Sequence, residues 1–430
     1  MRRRRVAGDG IVVALFAGLA AGLLLHGLPP AVAERALAFS EPVGALWLNA
    51  LRMTVLPLVA ALLITSVGGT AQQLRAGQLT ARALILFVVL LAVAATLGAL
   101  LSALFLELWP VAPEAASALR TGAGVALPPV AAPSVQDWFA ALVPANVFDA
   151  AAKGAMLPLV VFALLFGFAL ARIEPARRER LLEFFQAFSD TLFMLVRGVL
   201  VVAPVGVFAL ALAVGFRGGA GAAGAIGHYL LLVCGLSIVL TLLAYPFAVF
   251  GGRVGLKAFA RAAAPAQVVA ISTQSSLASL PAMLAGFATL PGRARGADVI
   301  LPLAVSLFRM TSPIVNIAIV LFVAHVSGVA PGVGAYAAGI GLAVVTSWAV
   351  AGVPSTITFF NTTVPISLAM GVPLQLLPLL LAVEVISDLF RTVGNVTTDL
   401  AVAAVLTRDA APAEAITRSP LAASSSSRPS

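Results

Sequence analysis

The chain has 430 residues, of which 61% are hydrophobic and only 10% are charged, and its mean hydropathy is +1.07. Average soluble domains carry about 25% charged residues, so this composition excludes a soluble globular protein. The net charge of +9 does not indicate a nucleic-acid partner, because most Lys and Arg residues lie in short connections and at the termini. Membrane proteins concentrate basic residues there on their cytoplasmic side. We expect a multi-pass protein in the lipid bilayer of the inner or plasma membrane.

Six uninterrupted apolar stretches predict the first membrane helices, each near the roughly 20 residues that cross a bilayer. The stretch that follows MRRRR resembles a signal peptide, but it is long for one and many spans follow it, so we interpret it as the first helix. The loop 110–137 is rich in Pro and Ala and has no strong pattern. The six predicted spans are 11–28, 43–68, 82–109, 155–172, 190–214 and 226–250.

The pattern changes after residue 250, where interrupted and continuous apolar segments alternate. Segment 264–290 is broken by STQSS and a proline, and segment 334–366 is broken at AGVP. The segments 298–325 and 374–406 read as continuous spans, and the tail from 408 to 430 reads as disordered. Interrupted segments in corresponding positions of two repeats are typical of transporter binding sites.

The distribution of basic residues decides between full spans and hairpins for the two interrupted segments. MRRRR places the N-terminus in the cytoplasm, and the connections 69–82, 172–180 and 251–261 then lie on the same side with their Lys and Arg residues. GRARG (292–296) joins them only if 264–290 is a re-entrant hairpin. We therefore predict an all-α protein with eight transmembrane helices, two re-entrant hairpins in inverted repeats, and both termini cytoplasmic.

The last span contains EVISDLFRTVGNVTTDL, which carries more charge than a lipid-facing helix tolerates. Its polar residues follow one another at intervals of four, three, four and four, which makes one stripe about 22 Å long. A structural network in which Asp388 pairs with Arg391 is one interpretation. A ligand and ion pathway is the interpretation we favour, because each charge at membrane depth costs at least about 2.5 kcal/mol. The stripe consists of Glu384, Asp388, Arg391, Asn395 and Asp399.

The chemistry of the stripe suggests a role for each member. Arg391 offers a planar fork of donors that suits a carboxylate, and Asp388 can accept an ammonium group. Asn395 can donate to a second carboxylate, and Asp399 is an oxygen ligand for a hard cation or a carrier for a proton. Glu384 is a candidate proton carrier, because an apolar interior disfavours the charged form of a carboxyl group.

The two hairpin tips add further candidate binding groups. In STQSSLASLP, Ser275 and Ser276 provide hydroxyls and free backbone N–H groups at a helix start, which suits an anion. In the second hairpin the tip formed by Gly352, Val353 and Pro354 provides unpaired backbone groups. Metal-ligand spacing is lacking, since the histidines are His26, His228 and His325 and the chain has one cysteine, Cys234.

Several motifs resemble the dicarboxylate/amino acid:cation symporter family, which includes glutamate and aspartate transporters, over residues 10–407. The motifs that carry this resemblance are LVPANVFDAAAKGAMLPLVVFALLFGFAL (142–170), APVGVFAL (203–210), SSLASLP (275–281), AGVP (351–354) and DLFRTVGNVTTD (388–399). The resemblance implies a homotrimer in which each protomer moves a transport domain along a fixed scaffold, like an elevator. It implies that Arg391 holds a side-chain carboxylate and Asp388 an amino group, and Asp399 and Asn395 are the candidate ligands of sodium. Asn395, Thr392, Ser276 and the second hairpin tip would hold the main-chain carboxylate.

The resemblance also implies a division of the chain. Residues 1–81 would be scaffold helices one and two, 82–109 transport-domain helix three, and 110–215 an extracellular loop with scaffold helices four and five. Residues 216–407 would form the transport-domain core, with hairpins at 264–292 and 334–366, and 408–430 a cytoplasmic tail.

Two departures from the family pattern concern a sodium site. The family's Asn-Met-Asp-Gly-Thr motif in the seventh helix aligns with FRMTS (308–312), so its acid is missing. The Thr-Ser pair of the third helix aligns with Leu90 and Leu91. Arg309 appears mid-helix beside this position, where it would replace a cation, pair with an acid or hold the substrate. Gln274 stands where relatives often have Arg, which suggests that the basic charge has moved within the site.

We predict a secondary transporter that moves a small carboxylate, either an acidic amino acid or a C4-dicarboxylate. No cofactor is expected, and Na⁺ or H⁺ is the expected coupling ion, with one sodium site lost. An uncoupled facilitator or anion channel on the same fold is the alternative. An enzyme is not expected, because Asp388 and Asp399 lie on one helix about 16 Å apart rather than facing each other like a protease dyad.

Overall fold

A computed structural model describes residues 2–25, 28–73, 78–123, 143–153, 155–290, 297–349 and 355–408. These residues form helices and short connections, and no strand occurs among them. In chain order the helices are α1 Arg2–Leu25, α2 Pro30–Gln73, α3 Gln78–Leu108, α4 Pro113–Gly122, α5 Val147–Ala152, α6 Met156–Leu170, α7 Pro175–Val201, α8 Ala203–Pro246, α9 Leu256–Thr273, α10 Ser276–Phe287, α11 Ala297–Leu307, α12 Thr311–Ser327, α13 Val333–Ala349, α14 Ser355–Ala369 and α15 Leu377–Leu406.

Length and apolar composition confirm the predicted class of an all-α, multi-pass membrane protein. Within the described residues, the helical stretches that are long and apolar enough to cross a bilayer are Ala31–Gly69, Gln78–Leu108, Pro175–Val201, Gly221–Gly251 and Ala297–Ser327. Large apolar side chains project from these helices, among them Ile85, Leu100 and Leu242, which are 61–64% exposed. Water would disfavour such surfaces, whereas lipid tails accommodate them.

Small residues allow α1 and α8 to pack closely. A Cβ atom at Gly22 would lie 2.3 Å from the carbonyl oxygen of Leu212, and one at Gly215 would lie 2.3 Å from that of Leu19. In lipid there is no hydrophobic effect to drive two helices together, because lipid tails are as apolar as the side chains. The attraction comes instead from van der Waals packing, which close approach of the backbones allows. These glycines therefore determine where α1 crosses α8.

The residues predicted to connect the fifth and sixth spans are helical. The structure therefore corrects the boundaries of both predicted spans. Helix α7 ends at Val201 and α8 begins at Ala203, so a break at Val202 divides the predicted span 190–214. Pro204 lacks an N–H group and cannot continue the hydrogen-bond ladder of α7. Helix α8 then runs through the predicted loop, where Gly219 adopts φ 59° and ψ −151° and kinks it. Only glycine adopts that conformation without strain.

The loop 110–137 also contains structure that its pattern did not indicate. Helix α4 forms at Pro113–Gly122 and packs against α8, where a Cβ at Gly218 would lie 2.3 Å from the carbonyl oxygen of Ala118. Pro113 at the first helical position and Glu114 in the first turn are both favourable at a helix start. Residues 124–137 of this loop lie outside the described residues.

The first interrupted segment forms a helical hairpin. Helices α9 and α10 pack against each other and meet at Gln274, which is left-handed with φ 49°, and at Ser275. The hairpin starts at Leu256, eight residues before the predicted boundary, because Pro265 is accommodated within α9. In the second interrupted segment α13 packs against α14. Its predicted tip, residues 352–354, lies outside the described residues.

The segment predicted as a continuous seventh span is broken, and Arg309 is in the break rather than mid-helix. Helix α11 ends at Leu307 and α12 begins at Thr311. Pro313 provides the reason, because it has no N–H group for the carbonyl oxygen of Arg309. That oxygen instead accepts a hydrogen bond of 2.9 Å from the N–H of Ser312.

Helix α15 lies at the centre of this packing and contacts α8, α9, α10, α11, α12 and α14. Nearly all of its residues from Leu377 to Ala404 are buried, including the charged ones. A helix with this much charge is unfavourable against lipid, so its neighbours provide the shielding. This arrangement places the polar stripe inside the protein.

Candidate functional site

The predicted stripe on α15 is buried along its whole length. The exposed fractions are 0% for Glu384, 6% for Asp388, 3% for Arg391, 2% for Asn395 and 0% for Asp399. All five side chains therefore depend on protein partners for their hydrogen bonds. The partners of Glu384, Arg391 and Asn395 come from α15 itself and from α12.

Arg391 forms a buried ion pair with Glu384, in which the Nη1 group of Arg391 donates to Oε1 of Glu384. The hydroxyl of Ser387 donates to the other carboxylate oxygen of Glu384 over 2.7 Å. The two residues are seven positions apart, and the side chain of Arg391 leans back toward the N-terminus of the helix, as long helical side chains do. The alternative pairing of Asp388 with Arg391 is thus not the one that the structure contains.

The other N–H donors of the Arg391 guanidinium have only long hydrogen bonds or no partner. Its Nη2 group lies 3.4 Å from Oγ of Ser312 and 3.3 Å from Oδ1 of Asn316, both on α12. Its Nε group is buried and has no hydrogen-bond partner among the described residues. A carboxylate can take two parallel hydrogen bonds from such a fork. Arg391 therefore retains donor capacity for an anionic ligand.

Asn395 holds the start of α12 in place. Its Oδ1 atom accepts hydrogen bonds from the backbone N–H of Thr311 at 3.0 Å and from the Thr311 hydroxyl at 2.8 Å. The first N–H groups of a helix lack partners within that helix, so a side-chain oxygen at this point satisfies one of them. The amide nitrogen of Asn395 is the end that can serve the predicted role toward a carboxylate.

Other predicted residues have local partners that limit their roles. The hydroxyl of Thr392 donates to the carbonyl oxygen of Asp388 over 2.7 Å. The hydroxyl of Ser275 caps α10 by accepting from the N–H of Ala278 over 3.3 Å, and Ser276 is the first residue of that helix. Gln274 at the same tip donates to the carbonyl oxygen of Val385 over 3.2 Å. The first hairpin tip therefore contacts α15 between Glu384 and Asp388.

Arg309 and Asp399 lie near the other end of the stripe. Asp399 is fully buried, and neither of its carboxylate oxygens has a hydrogen-bond partner among the described residues. Arg309 lies in the break between α11 and α12, two residues before the Thr311 that Asn395 binds. The predicted site residues Gly352, Val353 and Pro354 lie outside the described residues.

Sequence reasoning missed Ser387, Thr311 and Asn316 as members of this network. Ser387 lies three residues after Glu384, which is a contact distance on a helix. Asn316 stands alone in the apolar run PIVNIAIV, where an amide must find a polar partner. Both signals were present in the sequence, but neither indicates which partner the residue meets.

A buried cluster of acids and arginines, shielded from lipid by surrounding helices, is typical of membrane transport proteins. The chain belongs to the sodium:dicarboxylate symporter family, whose model matches residues 10–409. This confirms the resemblance that its motifs indicated. Because this family consists of symporters, the protein is a transporter and not an enzyme.

Individual relatives extend over most of the chain at low identity. The chain is 24% identical over 406 residues to the proton/sodium-glutamate symport protein of Bacillus caldotenax, with 90% of each chain covered. It is 25% identical over 405 residues to the proton/glutamate-aspartate symporter of Escherichia coli, with 90% of this chain and 89% of the relative covered. It is 27% identical over 295 residues to the C4-dicarboxylate transport protein of Solibacter usitatus, with 66% and 65% covered.

Proposed function

We propose that this protein is a secondary active transporter that carries a small carboxylate substrate together with a coupling cation. The observation that carries the proposal is the buried Arg391, whose guanidinium still has an unsatisfied Nε group. Relatives named for glutamate, aspartate and C4-dicarboxylate transport agree with such a substrate.

In the proposed site, Arg391 binds one carboxylate of the substrate and Asp388 binds an amino group. The amide nitrogen of Asn395, the Ser276 backbone at the start of α10 and the second hairpin tip (Gly352, Val353 and Pro354) receive the main-chain carboxylate. Thr392 supports this wall through its bond to the Asp388 carbonyl rather than by direct contact, because its hydroxyl is already used. An acidic amino acid uses all of these groups, whereas a C4-dicarboxylate leaves Asp388 without a partner.

Glu384 gives the site a means of coupling substrate to protons. Its carboxylate occupies part of the Arg391 fork, so an incoming carboxylate must compete with it. Protonation of Glu384 removes its charge and weakens that pair, which frees Arg391 for the substrate. Substrate and proton would then bind together, and the release of one would favour the release of the other.

For the whole protein we propose eight transmembrane helices, two re-entrant hairpins (α9–α10 and α13–α14) and cytoplasmic termini. In that arrangement α3, the part of α8 after Gly219 and the helices from α9 to α15 move as a transport domain within a homotrimer. The contacts of α3 with α11, α12 and α13 agree with this grouping. One family sodium site is lost, so coupling uses fewer sodium ions, or protons in their place.

Uptake into proteoliposomes with separately imposed sodium and proton gradients tests this function. We expect aspartate, glutamate or succinate to accumulate above equilibrium under an inward proton gradient, with at most weak sodium cooperativity. Steep sodium cooperativity would contradict the loss of a sodium site. Uptake that never exceeds equilibrium under any gradient would identify a facilitator instead of a coupled transporter.

Binding of the substrate can be tested separately by a thermal-shift screen of small carboxylates. A ligand that binds only the folded protein raises its stability by RT ln(1 + [L]/Kd). We expect Arg391→Ala to abolish the thermal shift that the ligand produces. Arg391→Lys keeps the charge opposite Glu384 but loses the paired geometry that a carboxylate needs. If Arg391→Ala retains the full shift, the proposed pocket is wrong.

A further inference from the structure

Asn316 is an amide in an apolar part of α12, and one end of that amide has no partner. Its side chain is 1% exposed, and its neighbours Val315 and Ile317 are fully buried. The Oδ1 atom accepts a hydrogen bond of 3.3 Å from Nη2 of Arg391. The Nδ2 group is buried and has no hydrogen-bond partner among the described residues. A buried donor without an acceptor is unfavourable, so the contact with Arg391 does not by itself account for an amide at this position.

The contact with Arg391 determines which way the amide of Asn316 is turned. A guanidinium has N–H donors and no acceptor, so Asn316 presents its oxygen to Arg391 and keeps its donor end for another group. The Nε group of Arg391 is also buried and without a partner within the part of the chain that the structure describes. One hydrogen bond joins the guanidinium to the amide, so these two unpartnered donors lie close to each other between α12 and α15.

A carboxylate matches two adjacent donors of this kind. Both of its oxygens accept hydrogen bonds and neither donates, so one oxygen can accept from Nε of Arg391 and the other from Nδ2 of Asn316. A carboxamide has the same shape, but its NH2 group would face one of the two donors. A site that leaves buried polar groups unpaired with the wrong ligand rejects that ligand strongly, even when its shape is right.

We propose that Asn316 is a substrate-binding residue that makes the site select a carboxylate over a carboxamide. Its Nδ2 group donates to the same carboxylate that Arg391 holds, so both unpartnered donors acquire an acceptor when the substrate binds. This role rests on the proposed transport function and deepens it, because it specifies which group of the substrate is recognised. It applies equally to an acidic amino acid and to a C4-dicarboxylate.

The test exchanges donor and acceptor on both sides of the contact. Asn316→Asp keeps the shape and the oxygen that faces Arg391 but turns the donor into an acceptor, and Arg391 favours its ionised form. Thermal-shift titrations compare aspartate with asparagine, glutamate with glutamine, and succinate with succinamate, and the pair whose acid stabilises the wild type is used. We expect the wild type to prefer the acid at least about tenfold, and Asn316→Asp to bind the amide at least about tenfold more tightly than the wild type does.

Tighter binding of the amide distinguishes direct contact from a role through Arg391. If Asn316 only supported Arg391, the new carboxylate would not touch the ligand and could not improve the binding of a carboxamide. Asn146→Asp is the matched control, since Asn146 is exposed at the start of α5 and aspartate caps a helix as well as asparagine does. This control should keep the preference of the wild type for the acid.

A cryo-electron microscopy structure of the wild type with the stabilising acid provides a second measurement, which decides the matter if Asn316→Asp fails to fold. We expect a carboxylate oxygen within about 3.2 Å of Nδ2 of Asn316. A longer separation overturns the inference, as does a folded Asn316→Asp protein that binds the amide no better than the wild type. If none of the acids binds the wild type, the proposed substrate class is wrong and the role of Asn316 falls with it.

Discussion

At the scale of single residues, the main feature is that Arg391 has a partner before any substrate arrives. Glu384 and Ser387 form a small polar group around one arm of its guanidinium, and α12 supplies two longer contacts to the other arm. Removing one partner of a buried pair typically costs about 3–5 kcal/mol, because it leaves the other charge buried and uncompensated. Exchange of Glu384 for a substrate carboxylate would keep Arg391 paired throughout a transport cycle.

Glu384→Gln should make substrate binding independent of pH. Glutamine keeps the shape of the side chain and its bond to Ser387. It has no negative charge, so it does not compete with the substrate carboxylate for Arg391. We expect the affinity of the variant at neutral pH to rise by at least about tenfold, since a hydrogen bond to a charged group is worth about 1.5–3 kcal/mol. Thermal-shift titrations with glutamate across pH measure this, and the wild type should bind more tightly as pH falls.

Glu183→Gln on α7 is the matched control, because Glu183 is exposed and remote from α15 in the sequence. Its pH profile should follow the wild type. If Glu384→Gln keeps the pH dependence of the wild type, Glu384 is a structural partner of Arg391 and not a proton carrier.

Asp388→Asn should separate the two classes of substrate. An amide retains hydrogen bonding but loses the charge that balances an ammonium group, so aspartate and glutamate should bind at least about tenfold more weakly. Succinate has no ammonium group, and its affinity should change by less than about threefold. Equal losses for all three ligands would mean that Asp388 shapes the site without contacting an amine.

At the scale of elements, the broken helix and the hairpin determine how the site is assembled. The break at residues 308–310 turns the first N–H of α12 toward α15, and the tip at Gln274 brings the first hairpin to the same helix. Breaks of this kind are tolerated at membrane depth when the backbone is buried in protein. The arms of the hairpin must also pack closely, because the tip has to reach Val385.

Gly286→Ala should loosen the first hairpin. A Cβ at Gly286 would lie 2.1 Å from the carbonyl oxygen of Ala262 in the opposite arm, so the two arms would have to move apart. Overpacking of this kind costs about 1–3 kcal/mol, and the melting temperature should fall accordingly. Differential scanning fluorimetry in detergent measures the change.

Gly235→Ala on α8 is a suitable control, since a Cβ there would meet nothing within 4 Å. Its stability should stay within about 0.5 kcal/mol of the wild type or improve slightly, because alanine favours a helix more than glycine does. An equal loss from both substitutions would show that the close contact in the hairpin is unimportant.

At the scale of the whole molecule, the proposed orientation in the bilayer rests on the basic residues of the connections. The prediction can be checked with single cysteines, because Cys234 is the only natural one and Cys234→Ala provides a cysteine-free background. Glu114→Cys on α4 should react with a membrane-impermeant maleimide in intact cells. Arg177→Cys, at an exposed position near the start of α7, should react only after permeabilisation. Labelling of Arg177→Cys in intact cells would reverse the proposed orientation.

Much of the fold was predictable where local pattern alone decides it. Apolar runs located most of the helices, and the spacing of Glu384, Asp388, Arg391, Asn395 and Asp399 correctly indicated one buried stripe. The predictions failed at Val202, at Gly219 and at residues 308–310, where one proline or glycine changes the course of a helix. Such residues are compatible with both a kink and a continued helix, and packing against neighbours selects between them.

The sequence by itself determined the membrane class, the transporter family and the face of α15 that carries charge, because composition, motif and helical period are local properties. The tertiary structure decided the partners: Glu384 for Arg391 and Thr311 for Asn395. Each of these contacts depends on the distance between side chains two turns apart or on different helices. That distance is set by how close-packed helices cross and where they break, which no local spacing specifies.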